Sequence, residues 1–421
     1  MRLVVTIEHH FRRDAAGRVF PAPPSIVDYS FWQRYLDVFS EVTVLARVGA
    51  ASDAHGSPLR GDGPGVAFHD LPDYLGPWEY LRWLPTLRRR IREAVATADA
   101  FILRVPGAIS HLAWRAIRKK QALFAVEVVG DPWDLLSPGA ARTLLRPALR
   151  RLWSRNQRQM CREASAASYV TREALQRRYP PGPSTWSTSV SSIDLGDGLA
   201  ESEKLEARIA RLRRSQGRRG SGEGPWRVGF VGMLTNLHKA PDVLLRAVVR
   251  CLQAGLQPDV ALVGEGDCKP EVERLAARLA LEGVVRFLGA LPSGEPVRAF
   301  LDDIDLFVLP SRQEGLPRAM IEAMARGCPC IGSTAGGTPE LLSGEDLVPP
   351  NDVGALARKI IEVVSDAARM ERMARRNWEA AREYAPAVLI QRRREFYTRV
   401  RELAGRGAGV SSLTGRVPEA L

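Results

Sequence analysis

The stretch IDLFVLPSRQEGLPRAMIEAMARGCPC, residues 304–330, contains a strand, a loop and a helix in direct succession. Its apolar run DLFVL has the length of a buried strand, and Pro317 begins a helical pattern that ends at Gly327, following the usual preference for proline first and glycine last. The apolar run PCIGST then predicts the next strand. A strand, a crossover helix and a second strand are the repeating unit of a parallel α/β sheet.

The same alternation continues in both directions from this stretch. It predicts an α/β protein with two doubly wound, Rossmann-like domains that face a central cleft. Five strand candidates fall in each domain: LVVTI, VTVLARV, AFILRV, LFAVEVV and ASYVT, then WRVGFVGM, DVALVGEG, VVRFLGAL, DLFVLPS and PCIGST. Open α/β sheets bind ligands at the carboxyl ends of their strands, so we expect the function to lie in the cleft.

Changes in composition divide the chain further. We predict a first domain over residues 1–199, a charged, Gly/Ser-rich linker over 200–225 and a second domain over 226–385. A C-terminal helix over 386–404 and a disordered tail over 405–421 complete the prediction. A length of 421 residues suits two domains that each bury a core.

The bulk composition bounds the class of protein. No apolar run approaches the roughly 20 residues of a membrane span, and the N-terminus lacks a secretory apolar segment, so we expect a cytosolic protein. The five cysteines show no zinc-type spacing and are interpreted as reduced thiols. Cys328 and Cys330 fit the start of a strand better than a redox pair.

The net charge of +12 is concentrated in the first half of the chain. Residues 1–199 contain 27 basic and 19 acidic side chains, a net charge of +8. Such a field attracts phosphates, anionic lipids or nucleic acid. Only six of the 60 basic residues are lysines, so a compositional preference for arginine explains the charge equally well.

Two glutamates bracket the start of the helix in the opening stretch. Glu314 falls in the loop and Glu322 inside the helix. Free N–H groups at a helix N-terminus favour phosphate, and a carboxylate on each side would accept hydrogen bonds from hydroxyls of a phosphorylated, polyhydroxylated ligand. Spacing by itself favours a capping or surface pair over this ligand site.

The motifs EGLPRAMIEAMARG, AGGTPELL, VGML…KAPDVLLRA and LVGEGD together resemble the donor domain of retaining GT-B glycosyltransferases of family four. The resemblance covers residues 226–385, and the first domain is similar in pattern to members that assemble bacterial polysaccharides. It implies that Glu314 contacts the donor sugar and that Glu322 binds the ribose of the nucleotide. It also implies donor contacts from Gly232, Gly264, Gly266 and the run Gly315, Leu316 and Arg318.

Lys239 follows the strand RVGFVGM, where the resemblance implies a lysine that neutralises the departing diphosphate. It is the only lysine between Lys204 and Lys269, although a solvated loop lysine would look the same. The family usually has an arginine where this chain has Met233. Arg318, or an arginine of the other domain, is a candidate to supply that charge.

The first domain offers candidates for the acceptor side. We predict that the segment HHFRRDAAGRVF forms a loop after the first strand, and that His10, Arg12 and Arg13 there bind an anionic acceptor. The histidine that the family has after the fourth strand is missing from VEVVGDPWD. Asp131 is the catalytic candidate in its place, with Glu127 as the alternative, and a carboxylate satisfied inside the core is as consistent with the sequence.

The segment YLGPWEYLRWLPTLRRRIREA alternates aromatic residues with arginines. This pattern suits an anionic membrane interface, and it also suits a helix whose aromatics pack on their own sheet.

The expected partners are a nucleotide-sugar donor, a glycan or lipid-linked acceptor and an anionic membrane surface at the inner face of the cell membrane. Asp303 and Asp305 have the spacing of a metal-binding DxD motif, but they directly precede a strand and fit a turn better, so we expect no metal. We also expect no cofactor, because the nucleotide-sugar is a substrate.

The leading interpretation is therefore a retaining, hexosyl-type glycosyltransferase of bacterial polysaccharide or glycoconjugate biosynthesis. A nucleotide-sugar epimerase of the same fold is a second interpretation. A basic nucleic-acid-binding protein is a third, although the sequence contains no recognisable nucleic-acid module.

Overall fold

The computed structural model describes residues 1–22, 27–51, 59–136, 146–196, 198–214 and 225–413, with side chains up to residue 406. Two sheets lie in succession along the chain, and helices cover both faces of each. The predicted α/β class with two doubly wound domains is confirmed.

The first sheet has the strand order β4-β3-β1-β5-β6-β7-β8 in the described residues, all parallel, and β2 pairs with β1 in the antiparallel direction. Its strands are β1 (Arg2–Arg13), β2 (Val19–Pro21), β3 (Glu41–Ala50), β4 (Val66–Leu71), β5 (Ala100–Val105), β6 (Ala125–Val128), β7 (Ala166–Tyr169) and β8 (Trp186–Ser189).

The second sheet is parallel throughout, with the order β11-β10-β9-β12-β13-β14. Its strands are β9 (Trp226–Val231), β10 (Pro258–Val263), β11 (Val285–Gly289), β12 (Leu306–Leu309), β13 (Cys330–Ser333) and β14 (Leu347–Val348).

The helices of the described residues alternate with these strands. They are α1 (Tyr29–Leu36), α2 (Gly76–Thr97), α3 (Ala108–Lys120), α4 (Pro132–Leu135), α5 (Arg146–Glu163), α6 (Ala174–Arg178), α7 (Ser202–Arg214), α8 (Pro241–Gln253), α9 (Lys269–Arg278), α10 (Glu295–Asp303), α11 (Arg318–Ala325), α12 (Val353–Val364), α13 (Ala367–Ala381) and α14 (Pro386–Leu413). No helix among them combines the length and the apolar content needed to cross a bilayer.

Alternation along the strands divides the core of the first domain into two layers. Leu3 and Val5 pack with Phe396 of α14 on one face of the sheet, whereas Val4 packs with Ile91 of α2 on the other. Successive strand residues point to opposite faces, so a continuous apolar run serves both layers. This is why the strand candidates read as unbroken apolar runs.

The last helix returns to the first domain. Phe396, Tyr397 and Val400 of α14 are buried beside Leu3 and Trp32. The helix continues to Leu413, beyond the predicted end at residue 404, so the predicted tail begins in helix. Residues 414–421 lie outside the described part of the chain.

The predicted linker contains a helix that belongs to the second domain. Leu205, Ile209 and Leu212 of α7 are buried in the core of that domain, and the spacing of four and three residues places them on one helical face. The many charged residues between them obscure this apolar stripe in the sequence. Residues 215–224 of the linker lie outside the described residues.

The carboxyl ends of the two sheets face each other, as predicted. Glu340, after β13, accepts hydrogen bonds from the N–H groups of Arg172, Glu173 and Ala174 at 2.5, 3.0 and 2.6 Å. Those three residues follow β7 of the first domain and begin α6. A carboxylate of one domain therefore caps a helix of the other.

Candidate active site

The pair at the centre of the site joins two loops of the second domain. Glu314, after β12, accepts hydrogen bonds from the ammonium of Lys239 at 2.6 and 2.8 Å and from the hydroxyl of Ser311 at 2.6 Å. Its side chain is only 5% exposed, and that of Lys239 is 27% exposed. Two residues that the sequence predicted separately, 75 positions apart, thus meet at the carboxyl ends of β9 and β12.

Arg312 holds the Lys239 loop against the Glu314 loop. Its guanidinium donates to the carbonyl of Leu237 at 2.7 Å and to both oxygens of Asp242 at 2.8 Å, and its N–H donates to the carbonyl of His238 at 2.7 Å. Sequence reasoning missed Arg312 and Asp242. The 70 residues between them leave no local signal, since the fold alone brings them together.

Glycines allow the loops of the second sheet to approach closely. Gly264 and Gly266, after β10, have φ values of +152° and +148°. A Cβ at Gly264 would lie 1.9 Å from the carbonyl oxygen of Gly232, and one at Gly266 would lie 2.2 Å from the N of Thr235. Any side chain there would push away the loop that carries Lys239. In the structure these glycines position that loop, and their predicted contact with nucleotide stays a prediction.

The loop after β13 supports the backbone around Glu314. Gly337 donates its N–H to the carbonyl of Gly315 at 2.7 Å, and Ser333, the last residue of β13, donates its hydroxyl to the backbone carbonyl of Ser311 at 2.5 Å. Leu316 packs on the core beneath. The loop faces the first domain, because a Cβ at Gly315 would lie 3.9 Å from the carbonyl oxygen of Val129.

Glu322 lies in the middle of α11 and is half-buried. The described residues provide no hydrogen bond or ion pair to its carboxylate within 4.0 Å. Burial raises the pKa of Glu322 above its usual value, and the charge of Arg318, one turn earlier, opposes this rise. Arg318 itself is exposed at the first residue of the helix. A half-buried carboxylate without a donor is suited to accept hydrogen bonds from hydroxyls of a ligand.

Met233 lies in the same loop as Lys239, with 68% of its surface exposed. Met233, which replaces the usual arginine, is therefore exposed to solvent beside the site. Lys239 contributes a positive charge from the same loop, and it already pairs with Glu314.

The acceptor-side candidates form a different structure from the predicted loop. His10, Arg12 and Arg13 continue β1, which pairs with β3 and forms a hairpin with β2. The prediction of a loop was wrong because HHFRR stays extended and pairs on both sides. Asp73 accepts hydrogen bonds from His10 at 2.5 Å and from Arg12, and Asp70 accepts two from Arg13 at 2.8 and 2.6 Å.

Asp131 caps α4 at the end of β6. Its carboxylate accepts the N–H of Trp133 at 2.8 Å and also binds the guanidinium of Arg178 and the hydroxyl of Tyr179. Both oxygens are thus engaged inside the first domain, as expected of a carboxylate with a structural role. Its alternative, Glu127, is also buried and engaged, by Arg104 and two tyrosine hydroxyls.

The described part of the chain contains no group of three or more His, Cys, Asp or Glu side chains placed to hold a metal ion. Asp303 pairs with Arg227, and Asp305 pairs with Arg211 and Arg227. Both aspartates therefore act as ion-pair partners at the amino end of β12. Whether the reaction proceeds without a metal stays a prediction.

Known proteins resemble this chain in sequence and in fold. Residues 225–366 match the family described as glycosyl transferases group 1. Protein CapJ of Staphylococcus aureus is 23% identical over 334 residues, which cover 79% of each chain. The amylovoran biosynthesis glycosyltransferase AmsK of Erwinia amylovora is 32% identical over 148 residues, which cover 33% of this chain and 36% of AmsK.

The solved structure of HepE from Anabaena, in complex with UDP and glucose, superimposes with a TM-score of 0.60 at 16% identity, covering 98% of this chain and 99% of HepE. The two facing sheets are those of the GT-B glycosyltransferase fold. Together these findings support a glycosyltransferase of the GT-B fold, with its group 1 domain in the second half of the chain.

Proposed function

We propose that this protein is a retaining glycosyltransferase that moves a sugar from a nucleotide-sugar to a glycan or lipid-linked glycan during bacterial polysaccharide biosynthesis. The observation that carries the proposal is the pair of Lys239 and Glu314 at the carboxyl ends of β9 and β12. It places one cation and one carboxylate where an open α/β sheet binds its ligand. The name of AmsK supports polysaccharide biosynthesis.

When a donor binds, Lys239 and Glu314 each contact a different part of it. The diphosphate competes for the ammonium of Lys239, and hydroxyls of the sugar donate hydrogen bonds to the carboxylate of Glu314. The bond between the anomeric carbon and the diphosphate oxygen breaks, and the leaving diphosphate takes the proton of the acceptor hydroxyl on the same face of the sugar. The acceptor oxygen bonds to the anomeric carbon on that face, so that the anomeric configuration is retained. Lys239 stabilises the charge that develops on the leaving oxygen.

Glu322 binds the other end of the donor. Its half-buried carboxylate accepts hydrogen bonds from the two ribose hydroxyls, which replace the solvation lost on folding. HepE was solved with UDP and glucose, so UDP is the first nucleotide to test. No metal takes part in this proposal, so activity should be unchanged in EDTA.

Nucleotide binding tests the donor site directly. Thermal unfolding is followed with nucleoside diphosphates and nucleotide-sugars for the wild type, Glu322→Ala, Lys239→Ala and the control Lys359→Ala, a lysine of α12 that pairs with Glu362. A ligand at ~100 times its dissociation constant stabilises the fold by about 2.7 kcal/mol. We expect one base to be preferred, with weaker shifts only in the two site variants. No shift with any nucleotide would refute the donor site.

The products test the reaction. Proton NMR of the glycosylated product should show the anomeric configuration of the donor, and an inverted product would exclude the retaining mechanism. Incubation without acceptor separates the transferase from an epimerase, which would isomerise the nucleotide-sugar on its own.

An anionic membrane surface is proposed as a further partner. On the first turns of α2, Leu75, Trp78 and Leu81 are exposed, Trp78 by 82%, whereas Tyr74 and Tyr80 pack on the domain core. Farther along α2, a cavity of about 800 Å³ between α2 and α3 is lined by Arg88, Arg92, Arg115, Arg118 and Lys119. Apolar side chains next to basic ones suit an anionic lipid interface.

Sedimentation with lipid vesicles tests this partner. We expect the wild type to bind phosphatidylglycerol vesicles and not phosphatidylcholine vesicles, and Trp78→Ser to weaken binding several-fold. Leu152→Ser, an exposed leucine on α5, is the matched control. Equal binding by all three proteins would exclude this surface.

A further inference from the structure

A polar row crosses the first sheet where its apolar core ends. Arg104, Glu127 and Ser168 are neighbours in register on β5, β6 and β7. The row two positions earlier is apolar and buried, and consists of Ile102, Ala125 and Ala166. The polar row thus marks the point at which this face of the sheet opens towards the cleft.

Three arginines and one carboxylate line the pocket at this point. Arg34 of α1 and Arg393 of α14 join Arg104 and Glu127 there. Glu127 accepts hydrogen bonds from Arg104 and, at 3.1 Å, from the hydroxyls of Tyr35 and Tyr397. Burial acts to raise the pKa of Glu127, but the charges of Arg104 and Arg34 with these hydrogen bonds hold it below its usual value. The carboxylate is therefore ionised, and it forms a direct ion pair with Arg104.

Arg34 and Arg393 have no such partner in the described residues. No carboxylate oxygen lies within 4.0 Å of either guanidinium. Arg34 stacks 3.5 Å from the centre of the Phe31 ring, and its Nε is buried without a hydrogen-bond acceptor. Arg393 donates to the carbonyls of Ser191 and Ile193, at 3.0 and 3.4 Å.

Three guanidiniums share the single carboxylate of Glu127 in this pocket, which leaves an excess of buried positive charge that costs folding free energy. Burial lowers the pKa of Arg393, and the nearby charge of Arg34 adds to this effect. An anion between the two guanidiniums would offset both contributions. Arginine forks are suited to bind carboxylates and phosphates through paired hydrogen bonds.

The pocket opens at the carboxyl ends of β6, β7 and β8, beside Val129, Val170 and Ser192. The carbonyl of Val129 faces Gly315 in the donor-side loop. The cavity measures about 30 Å³, which admits the oxygens of one carboxylate or phosphate and not a sugar ring. An acceptor could thus place one anionic group here while its sugar lies in the cleft.

We propose that the pocket of Arg34, Arg104 and Arg393 binds an oxyanion of the acceptor, either the carboxylate of a uronic acid or a phosphate. This proposal rests on the proposed transferase function. It differs from the sequence-based expectation for His10, Arg12 and Arg13, because Asp73 and Asp70 already neutralise the two arginines.

Titration of the full-length protein with inorganic phosphate, sodium glucuronate, glucose and sodium chloride, at constant ionic strength, tests the proposal. Binding is measured by thermal unfolding and by calorimetry. We expect saturable binding of phosphate or glucuronate, and the stronger of the two identifies the source of the oxyanion. Glucose and chloride should give no saturable signal. The absence of saturable binding by both anions would overturn the proposal.

Variants locate the binding site. Arg393→Gln should weaken the preferred anion about tenfold or more, as expected for loss of a charged hydrogen-bond donor. Ser192→Asp, at the exposed rim, should weaken it by charge repulsion without disturbing the core, and so remains informative if Arg393→Gln fails to fold. Arg394→Gln, the neighbouring exposed arginine of α14, is the matched control and should bind as the wild type does.

Nucleotide binding by the same variants separates the two proposals. We expect Arg393→Gln and Ser192→Asp to bind the preferred nucleotide normally. Unchanged anion binding in both variants would overturn the oxyanion pocket and leave the transferase proposal standing. If the wild type binds no nucleotide, the donor site is refuted instead.

Discussion

The two sides of the cleft differ in which charged residues are left without an ion-pair partner. On the second-domain side, Lys239 and Glu314 come from adjacent loops and pair with each other, while Glu322 has no partner among the described residues. On the first-domain side, Asp70 and Asp73 neutralise the arginines at the end of β1, and the arginines without carboxylate partners lie elsewhere. The number of basic residues in a segment therefore says little about its capacity to bind an anion. What matters is how many carboxylates the fold brings to them.

The largest effect should follow removal of the cation on the donor side. Lys239→Ala should lower kcat by about 10²- to 10³-fold, because a cation that stabilises the leaving group acts mainly in the transition state. Steady-state kinetics check this, with Lys359→Ala as the control. A variant that retains full kcat would mean that another cation, such as Arg318, serves the leaving group.

A smaller effect, on stability, should follow from Asp131. Asp131→Asn leaves Arg178 and Tyr179 without their carboxylate and should lower the free energy of unfolding by about 2 kcal/mol, or roughly 5 °C in Tm. Calorimetry checks this. If Asp131 acts in catalysis, as the sequence allowed, activity would fall while the Tm stays unchanged.

Asp134, which lies near Asp131 and also pairs with Arg178, should behave differently. Burial and the charge of Asp131 raise the pKa of Asp134 to about 6. Its charged form is therefore disfavoured in the folded state, and the stability that the raised pKa provides at low pH is lost as the pH rises through about 6. Asp134→Asn should thus increase the Tm at about pH 8 and change it less at about pH 5. A lower Tm at the higher pH would contradict this account.

Substitution of Glu322 should change the stability in the opposite direction to substitution of Asp131. Because burial raises its pKa, the ionised carboxylate costs folding free energy at neutral pH. Glu322→Gln should therefore stabilise the ligand-free protein by up to about 1 kcal/mol, or ~2 °C in Tm, while it weakens nucleotide binding. Unfolding scans with and without nucleotide check both parts. A destabilised variant would show that the carboxylate has a structural partner.

The smallest effect is expected at the β1 hairpin. Arg13 and Asp70 form a partly exposed ion pair, so Arg13→Gln should cost about 0.5 kcal/mol and leave KM for the acceptor unchanged. Acceptor titrations check this. A several-fold increase in KM for the acceptor would show that the hairpin binds the acceptor. Arginines paired with carboxylates would then bind an anion as well as unpaired ones do.

Local pattern was enough where an element depends on residues that lie close together in the chain. The ten strand candidates all correspond to strands of the structure, since long apolar runs suit strands covered on both faces. Pattern reasoning missed β2, β4, β8 and β14, which are short or rich in polar residues. It also missed the burial of α7, whose apolar residues are separated by arginines and glutamates.

The sequence by itself determined the α/β class, the two domains and the strand–loop–helix unit that carries Glu314 and Glu322, because strand length, helix period and the Pro and Gly positions are local properties. Only the tertiary structure decided which charges are paired. Asp242 reaches Arg312 across 70 residues, and Tyr397 reaches Glu127 across 270. Such contacts depend on the packing of distant elements, so no spacing along the chain encodes them.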